Sequence, residues 1–196
     1  PLSTFARTDP TVYGYGLGTT GFATSLIIGI YLVAMIAGAL TYPIIARRIT
    51  PRITLMAAAI FVGVGFLMFL PFHATYAQVI TNMVVVGLGS GALVAALPAA
   101  AASAAPAHQT SVATGLTNSV KTVGGAIASC VFGIALINGA VAGGSAAAAG
   151  TAGSFSGYLT VWIVCGVTAL ISAVLLALVV PKRAFTDAAA APTATI

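Results

Sequence analysis

Charge is what this sequence has least of. Its 196 residues include seven Lys and Arg and two acids, Asp9 and Asp187. Charged residues make up 5% of the chain and hydrophobic ones 60%, whereas a soluble chain carries roughly 25% charged. So few ionic groups cannot clothe a soluble domain of this length, and lipid must be the solvent for most of it. Cysteine is scarce as well. Cys130 and Cys165 both fall inside apolar runs, their spacing fits no metal or redox motif, and no disulfide is expected between them; they read as small packing residues. There is no His-Glu-x-x-His, no Gly-x-Ser-x-Gly and no glycine-rich phosphate loop after a strand, so neither an enzyme nor a cofactor is expected. The formal charge of +5 does not point to nucleic acid, because the basic residues stand at the ends of apolar runs rather than along one face with aromatics between them. The chain opens on Pro1 without the charged n-region of a signal peptide, and is expected to be trimmed or part of a longer polypeptide.

What is present is a series of apolar runs. A spanning helix needs ~20 predominantly apolar residues, and five stretches qualify: 20–46, 53–72, 77–102, 111–142 and 154–180. The expected fold is all-α, a polytopic membrane bundle over 20–183 of about five transmembrane helices. The competing reading makes one run a re-entrant or interfacial helix. Residues 1–19 carry Arg7, Asp9 and two prolines and read as an external loop ending in interfacial tyrosines, Tyr13-Gly14-Tyr15-Gly16. Residues 139–153 are Gly/Ala/Ser low complexity and read as a flexible outer loop. Residues 184–196 read as a disordered cytoplasmic tail.

Orientation follows from the few cations. Arg47, Arg48 and Arg52 lie between the first two runs, Lys121 precedes the apolar part of the fourth, and Lys182 and Arg183 close the fifth. The positive-inside bias puts all of these on the cytoplasmic face, leaving only Arg7 outside. The expected protein is therefore a multi-pass protein of the plasma membrane, N-terminus out and C-terminus in.

Two small-residue ladders sit at helix-contact spacing: Gly87 with Gly91, and Gly125 and Gly133 with Ser129 between them. In lipid such ladders let backbones approach closely, so these glycines are expected to pack helices together. Polar groups inside spans point to the bundle interior or a watery path. A single Ser or Thr can bond back to its own helix. The amides of Gln78 and Asn82 need partners, and with Tyr31 they are the candidates for a substrate path. No acid lies within any run, and His73 and His108 both fall in loops, so a proton-binding group is not visible in the spans.

Two segments carry a resemblance. Tyr13-Gly14-Tyr15-Gly16-Leu17-Gly18, a long span and then Pro43-Ile44-Ile45-Ala46-Arg47-Arg48-Ile49-Thr50-Pro51-Arg52 resemble the C-terminal half of major facilitator superfamily transporters. The closest subgroup is the fourteen-helix drug:proton antiporters of actinobacterial type. Gly115-Leu116-Thr117-Asn118-Ser119-Val120-Lys121-Thr122-Val123-Gly124-Gly125 looks like that family's penultimate helix. In the family's cytoplasmic loop motif, Gly-x-x-x-Asp-Arg-x-Gly-x-Arg/Lys, Arg48 and Arg52 match. Pro43 and Thr50 replace the two glycines, and Arg47 replaces the Asp. The resemblance implies the last five helices of a six-helix domain, with the third span lining a central cavity, the first and fourth facing the other domain, and the second and fifth facing lipid. By their position, Arg48, Arg52 and Lys121 are expected at the cytoplasmic loop and gate. The resemblance implies as partners the N-terminal half of the same transporter, protons and a small-molecule substrate. The expected function is export of drug-like or amphipathic molecules by proton antiport with alternating access. The alternative is a small non-transporting membrane subunit or an inactive remnant.

Overall fold

A computed structural model describes residues 2–142 and 154–179. The expected outer loop at 139–153 lies mostly outside the described residues, and Lys182, Arg183 and the tail lie wholly outside them. The described residues are helical, with no strand among them. Two short helices, α1 (Leu2–Arg7) and α2 (Pro10–Tyr13), precede five long ones: α3 (Gly21–Arg48), α4 (Pro51–Leu67), α5 (Tyr76–Ala104), α6 (Thr110–Ala142) and α7 (Phe155–Val179). A single 3₁₀ turn, Ala107–Gln109, joins α5 to α6. Four of these helices, α3, α5, α6 and α7, are long and apolar enough to cross a membrane, and α4 is a shorter apolar helix. The chain is a polytopic membrane helix bundle.

The ends of the helices follow from local chemistry. Thr20 caps α3, its hydroxyl accepting from the Ala23 N–H at 3.3 Å. Thr75 and Gln78 form a reciprocal capping box at the start of α5, satisfying N–H groups that would otherwise be orphaned. Pro51 takes the first turn of α4, where its missing N–H costs nothing. That helix stops at Leu67 rather than running to 72 as the apolar run suggests. Tighter bonds, Phe69 N–H to the Phe66 carbonyl and Leu70 N–H to the Leu67 carbonyl, carry the chain on as turns before Pro71.

Packing is uneven. The closest pairings are α3 with α5, α4 with α5, and α4 with α7. Glycines set the first of these. A Cβ on Gly87 would lie 2.8 Å from the Tyr31 carbonyl, and one on Gly91 or Gly38 would strike the Met35 or Leu88 carbonyl. The other two pairings use glycine as well. A Cβ on Gly89 would lie 2.6 Å from the Ala58 carbonyl, and one on Gly63 would lie 3.1 Å from the Gly166 carbonyl. With no hydrophobic force between helices in lipid, backbone contact of this kind holds the bundle together.

Residues 2–19 are the largest departure from expectation. They are not a bare loop. Phe5 and Ala6 of α1 are fully buried against the end of the bundle, among Phe69, Tyr158 and Trp162. The glycines of the tyrosine-glycine stretch then turn the chain into α3. At Gly16 the backbone has φ 102 and a side chain would strike Thr8. That close approach lets the Gly18 N–H donate to the Thr8 carbonyl (2.8 Å) and the Thr19 N–H to the Ala6 carbonyl (2.9 Å).

Candidate functional site

Three regions could carry function: the aromatic end under α1, the two arginine-bearing helix ends at 48–52, and the free faces of α6.

At the first, His73 sits in a ring of aromatics. Its imidazole centroid is 5.2 Å from Phe155, 6.0 Å from Trp162 and 6.4 Å from Phe5. Its Nδ1 donates to the Phe69 carbonyl at 3.0 Å, so it secures the final turns after α4. Trp162 stacks on Phe69 at 5.0 Å and meets Phe5 edge-on at 5.2 Å. Such arrangements add to the value of simple burial. Partial burial pushes the Tyr15 phenol up from its ordinary value, with a hydrogen bond to Thr8 pulling the other way. Outside the cluster, the hydroxyl and N–H of Thr11 hold the Asp9 carboxyl below the usual range. The cluster closes this end of the bundle with buried aromatic rings.

The three path candidates are brought near this end but not onto an open surface. Gln78 Oε1 accepts from the N–H groups of Ala74 and Thr75, both at 3.2 Å, which spends its carbonyl on the helix start. Asn82 is wholly buried; its Nδ2 donates to the Phe72 carbonyl at 2.7 Å, tying α5 to the turn that precedes it. Its Oδ1 has no partner among the described residues. Tyr31 is half-buried and packs on the core cluster, on the α3 face that meets Gly87.

The basic loop divides into two roles. The Arg52 guanidinium reaches across the bundle and its Nη2 donates to the Ala177 carbonyl near the end of α7. A cation at a helix C-terminus meets both an orphan carbonyl and the negative end of the helix dipole. Arg48 is exposed and makes no hydrogen bond or ion pair with the described residues. Lys121 is exposed on α6, far along the chain from both.

Helix α6 stands apart. Its 33 residues rise about 50 Å, and no residue from Thr110 to Leu136 is buried. Gly115, Gly124, Gly125 and Gly133 have open space where a side chain would go. Asn118, Thr122, Gly125 and Ser129, at spacings of four, three and four, form one exposed face. Thr122 and Ser129 return their hydroxyls to the carbonyls four residues back, at 2.9 and 2.8 Å, whereas the Asn118 amide and the Lys121 amine have no partner among the described residues. The opposite side carries Val112, Leu116, Val123, Ile127 and Ile134, all exposed. Of the four glycines expected to pack helices, Gly87 and Gly91 do so here, and Gly125 and Gly133 meet no described neighbour.

Sequence reasoning missed Phe5, Gly38, Gly63 and Gly166. The last three are isolated glycines outside the paired ladders, and nothing in the sequence says which other helix each would face. Among the described residues no group of three or more His, Cys, Asp or Glu could hold a metal ion, and Cys130 and Cys165 are free thiols. No family model, curated protein sequence or solved structure matches the chain.

Proposed function

We propose that this bundle is part of a secondary active transporter of the plasma membrane, exporting amphipathic, drug-like molecules by proton antiport. The observation that supports it is α6: a helix of crossing length with one polar, small-residue face and one apolar face, neither covered by the described chain. Beyond Lys121 this face continues into the apolar run as Thr122, Gly125 and Ser129, small and polar residues of the kind that in a membrane turn toward a bundle interior or a watery path. The Asn118–Ser129 face is therefore better suited to a watery path or a second helical body than to hydrocarbon. In this reading that second body is the N-terminal half of the same carrier, and the two halves rock about a midplane site open to each side in turn. The acids of this chain are Asp9 and Asp187, both outside the apolar runs, so the coupling proton would bind on the other half. Arg48 and Lys121 would stand at the cytoplasmic rim, with the N-terminus outside and the C-terminus in the cytoplasm.

The test is proton-coupled transport in inverted vesicles that contain the intact protein. A panel of amphipathic cations should dissipate an imposed proton gradient, and Asn118→Ala should remove most of that response while leaving the level of inserted protein unchanged. Correctly inserted protein that answers no compound in the panel would overturn the proposal. It would favour a non-transporting membrane subunit, for which the same uncovered α6 would be the binding surface.

A further inference from the structure

Helices α3 and α4 are joined by only two residues, Ile49 and Thr50, and both rest on α5, yet they touch each other little. Between them is a cavity of about 250 Å³, open along one side. Leu88, Gly89 and Ala92 of α5 line it, with Ile45 from α3 and Ile53 from α4 nearest the loop. Its lining is almost entirely apolar. It is smaller than the ~300–1,000 Å³ of pockets that enclose drug-sized ligands, but it is long. The lining runs along α3 from Gly38 to Ile49, a rise of roughly 16 Å. That is about half of the ~30 Å hydrocarbon core, the depth of one leaflet.

The end of the crevice at Ile49 is where the positive charge lies. Arg48, next to Ile49, is exposed and unpaired among the described residues, and α4 begins two residues on at Pro51 with no side-chain cap from Thr50, so the positive end of its dipole lies at the same loop. The one described acid, Asp9, lies before α3, whose 28 residues separate it from this loop. A ligand that complements both features has one hydrocarbon chain about a leaflet long and an anionic head. We infer that the crevice between α3 and α4 seats an acyl chain of an anionic phospholipid, with its phosphate at Arg48. The Tyr42 side chain, on the same wall about 10 Å from the Ile49 end, borders the acyl chain further down.

This inference stands apart from transport and is tested without it. The full chain is reconstituted in vesicles doped with phosphatidylglycerol that carries a photoactivatable diazirine in one acyl chain, and the labelled peptides are mapped. Labels should concentrate on the crevice walls, at Tyr42, Ile45, Ala57 and Phe61. Phosphatidylcholine with the same diazirine chain should label them about fivefold less, the preference worth one basic side chain near an anionic surface. Arg48→Gln, at an exposed position, should erase that difference while chain labelling persists. Ala57→Phe should fill the crevice and abolish its labels while those on α6 remain. Labels spread evenly over α3, α4 and α6, or equal labelling of the wild-type crevice by the two lipids, would overturn the proposal. Should Ala57→Phe fail to fold, the wild-type lipid comparison and Arg48→Gln still decide the matter.

Discussion

Gly87-Leu88-Gly89-Ser90-Gly91 on α5 and the Gly125–Ser129–Gly133 ladder on α6 have the same spacing and opposite surroundings. On α5, Gly87 and Gly91 bring the backbone of α3 so close that a methyl group would collide with it. On α6 the same arrangement faces open space. Small residues four apart permit close approach, but whether a helix arrives depends on what the rest of the chain places there. One ladder holds this bundle together, and the other belongs to a surface that the described residues leave uncovered.

The sharpest way to break the comparison is to fill both ladders. Gly91→Leu should cost roughly 3 kcal/mol, the upper range for overpacking against backbone that cannot retreat. Gly125→Leu should cost nothing and could add up to ~0.8 kcal/mol through helix propensity alone. Reversible unfolding of the full chain in mixed micelles would measure both. Equal losses would mean that α6 is as tightly enclosed as α5.

Next in size is Asn82→Leu, which leaves the Phe72 carbonyl without its donor. It should destabilise the chain by about 1–2 kcal/mol and speed hydrogen exchange in the turns between α4 and α5 before anywhere else. Arg52→Met removes the bond to the Ala177 carbonyl and the charge at the end of α7. A loss of ~1 kcal/mol is expected, read in the same unfolding assay, with exchange at the last turn of α7 rising first. Arg48→Met should show no such loss, which separates the two arginines.

The smallest effect concerns Asp9 at the start of α2. Its folded carboxyl is held below the ordinary 3.8 by Thr11. The stability it contributes is therefore complete above that value and disappears as pH falls through the lower folded one. Amide exchange in α2 should accelerate only under those acidic conditions, and Asp9→Asn should make it independent of pH there.

Four of the long helices were legible from run length and polarity, because hydrocarbon demands about the same span wherever a chain crosses it. The sequence alone marks Gln78 only as a path candidate; its use at the start of α5 follows from the reciprocal capping box with Thr75. The N-terminal segment was harder. Arg7, Asp9 and two prolines outweigh one phenylalanine in any reading of composition, and the burial of Phe5 depends on Trp162, more than 150 positions away. Contacts between helices were likewise hidden, since Gly38, Gly63 and Gly166 look no different in sequence from glycines that touch nothing. The role of Arg52 could not be read from the loop it sits in, because its partner, Ala177, belongs to the last helix.

The chain contains a single tryptophan, and Trp162 is 4% exposed within the aromatic cluster. The protein thus carries its own optical gauge of one end. Excited at the red edge, where tyrosine does not absorb, Trp162 emission should be blue-shifted while Phe5 covers the indole, and should redden and weaken if α1 lifts away, with no dye attached.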